Sequence, residues 1–206
     1  KESAASGLNW TFAPMIDVSR DARWGRIMEG AGEDPYLNSV IGVARIQGFQ
    51  GDDLADNNTI AACAKHFAGY GFAEAGREYS AVTVGEFELH NMILPPFKAA
   101  AKAGVATFMN SFNDIDGIPA TGHRELQRDI LKGDWNWNGF IVSDWGSIGE
   151  MRAHGYAKDK KHAAEIALNA GSDMDMESYA YEASLATLLE EDKISLAHLN
   201  DAVKRI

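Results

Sequence analysis

The sequence places one carboxylate where it could act as a nucleophile. Asp144 ends the apolar segment 139–144 and is followed by Trp145 and Gly146. A carboxylate at the end of a strand, facing an open pocket, can form a covalent intermediate, and an adjacent aromatic ring can stack on the apolar face of a sugar. The alternative is that Asp144 caps the following helix, as aspartate often does. The pattern alone leaves both interpretations open.

A second group of polar side chains ends another apolar segment, residues 59–66. Lys65 and His66 stand there side by side and could hold hydroxyls or a carboxylate. A lone His66 would more often be structural, but burying the adjacent ammonium without a partner is costly, which favours a functional pair. Residues 20–26 add three arginines around a tryptophan. Their forked donors suit hydroxyls or carboxylates, unless they form a surface loop of ion pairs.

Other chemistries lack their sequence patterns. The six histidines show no H-E-x-x-H or similar pairing, and the single cysteine, Cys63, cannot form a cysteine-only metal site or an internal disulfide. No G-x-S-x-G motif supports a serine triad, and no glycine-rich phosphate loop follows a strand. We therefore expect no metal and no cofactor.

Strands and helices must position these candidate site residues. Along the sequence, short apolar segments typical of strands alternate with longer helical patterns. The predicted strands are residues 10–17, 59–66, 105–111, 139–144 and, as a short fifth strand, 172–176. The predicted helices are residues 35–49, 86–103, 123–132 and 162–170, followed by two more. Asp34 and Pro35 suit the cap and the first turn of the first of these helices. This alternation is typical of a parallel sheet covered by helices.

Polar residues collect at the carboxyl ends of these strands, where a parallel α/β barrel carries its active site. They are Asp17, Lys65, His66, Asn110, Ser111, Asp144 and Asp175. A doubly wound sheet would bind ligands at the same end, but the missing phosphate loop favours the barrel. A whole barrel has eight strands in about 250 residues. The fold class expected is therefore α/β, as an incomplete part of a (β/α)8 barrel.

Composition limits the broad class. The chain has 206 residues, of which 46% are hydrophobic and 24% charged, enough for a core and too few charges for disorder. The net charge of -11 makes a nucleic-acid partner improbable. No segment approaches the roughly 20 apolar residues of a membrane span. Residues 1–7 read as the end of a helix and residues 195–206 as an unfinished one, so we expect part of a larger protein.

Five short motifs carry a resemblance to a known family. They are FAPMID at residues 12–17, RWGR at 23–26 leading into GEDPY at 32–36, AKHF at 64–67, GREY at 76–79 and VSDW at 142–145. Their order and spacing resemble the N-terminal barrel domain of the family 3 glycoside hydrolases. The resemblance covers nearly the whole chain and is nearest to the periplasmic or secreted bacterial β-glucosidases.

The resemblance implies roles for individual residues. Asp144 matches the family's catalytic nucleophile. The positions implied to bind substrate or line its pocket are Arg26, Lys65, His66, Arg77, Met109 and Trp145. Phe112 stands where many members carry a tyrosine that donates a hydrogen bond to the nucleophile, so this chain lacks that hydroxyl.

The resemblance also implies what the chain does and what it lacks. It implies a retaining β-glucosidase, with a β-xylosidase, an N-acetylglucosaminidase or an inactive sugar-binding homologue as alternatives. Residues 1–206 would be one partial barrel domain, without the early strands and the C-terminal α/β sandwich domain that supplies the acid/base. Single-domain members use a histidine after the Lys-His pair, but residues 68–77 contain none. The expected partners are a β-glucoside or short oligosaccharide and those other segments of the same protein.

Overall fold

The centre of the molecule is a parallel sheet of three strands. The computed structural model describes residues 1–206, and its sheet contains β1 (Cys63–Phe67), β2 (Thr107–Asn110) and β5 (Phe140–Val142), in that order. Isolated parallel bridges extend the sheet on both sides, joining Met15 to Lys65 and Val142 to Met174. Five parallel positions thus follow one another in chain order, as in part of a barrel.

Helices follow the strand positions along the chain. The longer ones are Pro35–Gln50, Leu94–Lys102, Glu125–Asp134, Lys160–Ala170, Ala180–Glu190 and Leu196–Arg205. Short helical segments lie at Glu2–Ala5, Ile27–Glu29, Tyr70–Phe72, Glu74–Gly76, Glu86–Glu88, Leu89–Ile93, Ala120–Gly122 and Ser147–Glu150. A small antiparallel pair, β3 (Asp114–Ile115) and β4 (Ile118–Pro119), was not predicted. No helix is long and apolar enough to cross a membrane.

The prediction of regular strands is wrong for two segments. Residues 10–17 form only two bridges, because Pro14 has no N–H to donate to a ladder, although Ile16 N donates to Lys65 O at 2.8 Å. Residues 172–176 form one bridge, through Met174, before the chain turns into a helix. The two segments lie at the two edges of the sheet, the first beside β1 and the second beside β5.

The helix predicted over 86–103 is interrupted by a π-helical turn at Leu89–Ile93. Pro95 and Pro96 follow it and have no N–H groups, so the ordinary hydrogen bonds back to the preceding turn cannot form there. The helix predicted over 123–132 lies at Glu125–Asp134 and is also of the π type. The helix Pro35–Gln50 is confirmed, with the Asp34 side chain accepting a hydrogen bond from Tyr36 N at 2.8 Å.

Side chains on the strands alternate between two environments. Phe108 faces the outer layer of helices, where it packs near Phe67 and Phe97. The next residue, Met109, faces the inside of the sheet with Val142. This alternation follows from the period of two in a strand. The chain therefore buries an apolar layer beneath the helices and leaves the strand ends for polar groups.

Candidate functional site

His66 lies between two aspartates at the carboxyl end of β1. Asp17 Oδ2 accepts a hydrogen bond from His66 N at 2.9 Å and lies 2.8 Å from the ring nitrogen Nδ1. The other ring nitrogen, Nε2, is 3.6 Å from Asp144 Oδ2. His66 and Asp17 are both buried. Asp17 therefore orients the imidazole so that its free nitrogen points at the candidate nucleophile.

Asp144 is a buried carboxylate with one free oxygen. Its Oδ1 accepts a hydrogen bond from Trp145 N at 2.6 Å, whereas Oδ2 has no hydrogen-bond partner. Burial raises the pKa of Asp144, and the neighbouring His66, Lys65 and Arg26 act in the opposite direction. The chemistry open to such an oxygen is nucleophilic attack or acceptance of a hydrogen bond from a ligand.

The capping alternative for Asp144 is wrong. The helix Ser147–Glu150 begins after Gly146, and no side-chain hydrogen bond caps it. Asp175, another polar residue at a predicted strand end, does bind backbone N–H groups in the first turn of a helix. Its Oδ2 accepts from Ala180 N at 2.7 Å at the start of the helix Ala180–Glu190, so Asp175 serves structure rather than the site.

Two cationic side chains border Asp144. Arg26 donates to Glu29 from Nε and Nη2 at 2.6 and 2.8 Å, and its guanidinium lies 5.5 Å from the centre of the Tyr70 ring. The pKa of Arg26 is raised, first of all by that contact with Glu29. Lys65 is half-buried in β1, and its ammonium makes no hydrogen bond or ion pair. It is free to bind a ligand hydroxyl.

The remaining predicted site residues divide into two groups. Met109 is paired in register with Lys65 and Val142 and is buried directly beneath the site. Trp145 is 64% exposed beside Asp144 and can serve as a stacking surface. Arg77 is not brought to the site, because its side chain is exposed and lies 3.7 Å from the Glu74 carboxylate.

The loops that carry the site approach one another closely. Arg20 N donates to Gly71 O at 2.9 Å, which ties the loop after the first strand position to the loop after β1. A Cβ on Gly71 would collide with the carbonyl of Val18. Only glycine leaves room for the two backbones at that point, which holds Arg26 near Lys65.

The sequence matches the family model of the Glycosyl hydrolase family 3 N terminal domain over residues 1–206. The chain belongs to glycoside hydrolase family 3. The prediction of a partial α/β barrel is confirmed by solved structures of this family. A beta-glucosidase from Listeria innocua has a TM-score of 0.96 and 45% identity over 98% of this chain and 28% of its own. A mutant of that protein in complex with laminaribiose has a TM-score of 0.97 and 46% identity, covering 99% of this chain and 29% of its own.

Curated relatives of this chain include a beta-glucosidase and a beta-xylosidase. The "Periplasmic beta-glucosidase" of Salmonella typhimurium is 42% identical over 205 residues, which are 100% of this chain and 27% of that protein. The "Beta-xylosidase" of Formosa agariphila is 40% identical over 181 residues, covering 85% of this chain and 25% of that protein. The chain thus spans about a quarter of the length of these relatives.

Two carboxylates in this family 3 domain escaped the sequence analysis. Glu29 binds Arg26, and its spacing of three residues in a short helix was an available signal. Glu150 is half-buried, and burial raises its pKa, with a smaller contribution from Asp144. With Tyr79 and His154 it lines an open pocket of about 300 Å³. No sequence pattern indicated Glu150, because its burial depends on how the loop after β5 folds.

Proposed function

We propose that the protein containing this chain is a retaining β-glycosidase that removes terminal, non-reducing β-D-glucosyl residues. The observation that carries the proposal is the unpaired, buried Asp144 Oδ2, 3.6 Å from His66 Nε2 and bordered by Lys65 and Arg26. A carboxylate oxygen among donors of this kind suits attack on a sugar whose hydroxyls those donors hold. The beta-glucosidases among the relatives support a β-glucoside as the substrate.

The first chemical step follows from this arrangement. Asp144 Oδ2 would attack the anomeric carbon and form a covalent ester while the glycosidic C–O bond breaks. The leaving oxygen takes a proton from a general acid. Water then attacks the same carbon, the acid group acting as base takes its proton, and Asp144 leaves as a carboxylate. Two displacements give net retention. Arg26, Lys65 and His66 would hold the sugar hydroxyls in both steps.

The proposal places the acid/base outside residues 1–206, as the resemblance implies. Glu29 and Glu78 are each engaged, by the Arg26 fork and by the Tyr70 hydroxyl. Glu74 is exposed beside Arg77. Glu150 stands on the short helix that follows Asp144 in the chain, and we propose that the carboxyl across the scissile bond from Asp144 comes from another segment. The further segments of the protein are the proposed partners of this site.

A β-xylosidase is the second candidate within the family. The Formosa agariphila relative supports it, at an identity close to that of the periplasmic beta-glucosidase. Comparing kcat/KM on nitrophenyl glucoside and nitrophenyl xyloside separates the two, and we expect the glucoside to be preferred. The Salmonella relative's name also supports our proposal of a periplasmic or secreted location.

The central test replaces the nucleophile in the full-length protein. We expect Asp144→Asn to keep the fold and lower kcat by roughly 10⁴-fold or more, because an amide is a poor nucleophile. Asp129→Asn is the matched control, since Asp129 is exposed and lies 3.7 Å from Arg124. A 2-fluoro glucoside should label Asp144 of the unaltered protein. A label on another residue, or near-normal turnover by Asp144→Asn, would refute the assignment.

A further inference from the structure

The guanidinium of Arg26 is held by a carboxylate three residues along the chain. Nε lies 2.6 Å from Glu29 Oε1 and Nη2 lies 2.8 Å from Oε2, a two-bond fork that fixes both the position and the plane of the guanidinium. Arg26 and Glu29 are the N-cap and the last residue of the short helix Ile27–Glu29. Backbone geometry therefore fixes their separation before any ligand binds.

The same guanidinium also lies over the face of an aromatic ring. The Tyr70 ring lies 5.5 Å from Arg26 Cζ, within the range of a cation–π interaction. The Tyr70 hydroxyl in turn donates to Glu78. The ring packs edge-on against Trp24 and His66 at 5.3 and 5.2 Å. Arg26 is thus held at one edge by Glu29 and lies over a ring that is itself packed between Trp24 and His66.

The fork leaves part of the guanidinium available. Arginine has five N–H donors, and the contact with Glu29 uses the Nε hydrogen and one on Nη2. Both hydrogens on Nη1 and one on Nη2 remain, along an edge that suits two adjacent hydroxyls. Glu29 itself stays ionised, because Arg26 lowers its pKa, with smaller contributions from Lys65 and His66. The carboxylate therefore lies within the electrostatic reach of the sugar-binding groups.

We propose that Glu29 is a positioning residue for substrate recognition, which holds the free edge of Arg26 toward two adjacent hydroxyls of the terminal sugar. The inference rests on the proposed function. A guanidinium held in place loses less side-chain entropy when it binds a ligand, so part of the binding selectivity comes from Glu29 without any contact between it and the sugar.

The chain offers a matched control in the same loop. Arg23 forms the same kind of fork with Asp21, at 2.6 Å from Nη2 to Oδ2 and 2.9 Å from Nε to Oδ1, but its side chain is 71% exposed. In the full-length protein we expect Glu29→Gln to lower kcat/KM on a β-glucoside by about 10- to 100-fold, the scale of a hydrogen bond to a charged group. Asp21→Asn should change it by less than about twofold.

A ratio of two kcat/KM values distinguishes the loss of the positioning role from a general disturbance of the loop. We compare kcat/KM for a β-glucoside with kcat/KM for its monodeoxy analogues in each preparation, so that the fraction of correctly folded protein cancels. For an analogue that lacks a hydroxyl bound by Arg26, Glu29→Gln should reduce the ratio of kcat/KM for the β-glucoside to kcat/KM for the analogue. For the other analogues the ratio should stay unchanged. In an Arg26→Lys background, Glu29→Gln should add less than about twofold, because the fork is already lost.

The outcomes are distinct. Unchanged ratios at every deoxy position, or full additivity of Glu29→Gln with Arg26→Lys, would overturn the role of Glu29. An unaltered protein that hydrolyses no β-glycoside would refute the proposed function instead. The affinities of glucose and the deoxyglucoses for the unaltered protein and for Glu29→Gln, measured by calorimetry, would then decide the positioning role.

Discussion

Asp144 is a buried carboxylate, and its proposed role as the nucleophile predicts a pH dependence of kcat/KM. Burial raises its pKa above the ordinary aspartate value of about 3.9, and only the ionised form can attack carbon. As the pH falls through the raised pKa, the carboxylate takes up a proton and kcat/KM should fall. We expect the acid limb of the kcat/KM profile on an activated aryl glucoside to lie at higher pH than the pKa of an ordinary aspartate.

A substitution of Lys65 tests whether protonation of Asp144 causes the acid limb of the kcat/KM profile. Its positive charge lowers the pKa of Asp144, so Lys65→Met should move the acid limb to higher pH as well as weaken binding. Lys98→Met, at an exposed helical position, should leave the limb in place. A limb that does not move in Lys65→Met would mean that another group controls it.

A buried ion pair holds strand β5, which leads into Asp144, the proposed nucleophile. Lys132 Nζ lies 2.7 and 2.8 Å from the Asp173 carboxylate oxygens, and Asp173 Oδ2 also accepts from Ile141 N in β5 at 2.8 Å. Both side chains are buried. We expect Lys132→Met to lower the free energy of unfolding by about 3–5 kcal/mol, because it leaves a buried carboxylate without its counter-charge. Urea titration of the same protein with and without the substitution measures this.

The chain contains an exposed pair of the same type for comparison. Lys161 Nζ lies 2.6 Å from Glu191, with the two side chains 38% and 46% exposed. Lys161→Met should cost less than about 1 kcal/mol, since solvent screens the pair. Equal costs at the two positions would show that burial does not set the contribution of Lys132.

On the scale of the whole molecule, the sheet presents five parallel positions with an open edge on each side, formed by the segments around Met15 and Met174. We propose that the general acid lies outside residues 1–206. We therefore expect this chain by itself to hydrolyse cellobiose at least ~10²–10⁴-fold more slowly than the full-length protein. Nitrophenyl glucoside, whose leaving group needs less protonation, should retain more activity.

Circular dichroism of the chain, recorded beside the assay, distinguishes an unfolded chain from a folded one that lacks parts. Full-length rates on cellobiose from a folded 206-residue chain would place the acid/base within it, and Glu150 would then be the first residue to replace. Its pKa, raised by burial, is the property that such a role requires.

Much of this architecture could be predicted because its signals are local. Asp34 and Pro35 define the start of the helix Pro35–Gln50 through the backbone of the first turn alone. Apolar runs ending in polar residues placed His66 and Asp144 at the same end of the sheet, since parallel strands all point one way. The π-helical turn at Leu89–Ile93 escaped prediction because a single widened turn hardly changes the apolar pattern.

The sequence by itself determined the alternation of strand and helix segments and the identity of the residues at the strand ends, because these depend on periodicity and neighbouring side chains. Only the tertiary structure decided which of those residues meet. It brought His66 to Asp144, brought the charges of Lys65 and Arg26 near the same carboxylate, bound Asp175 to the first turn of a helix, and left Arg77 in solvent. The cause is that loop paths, burial and close backbone contacts such as that at Gly71 join segments far apart in the chain.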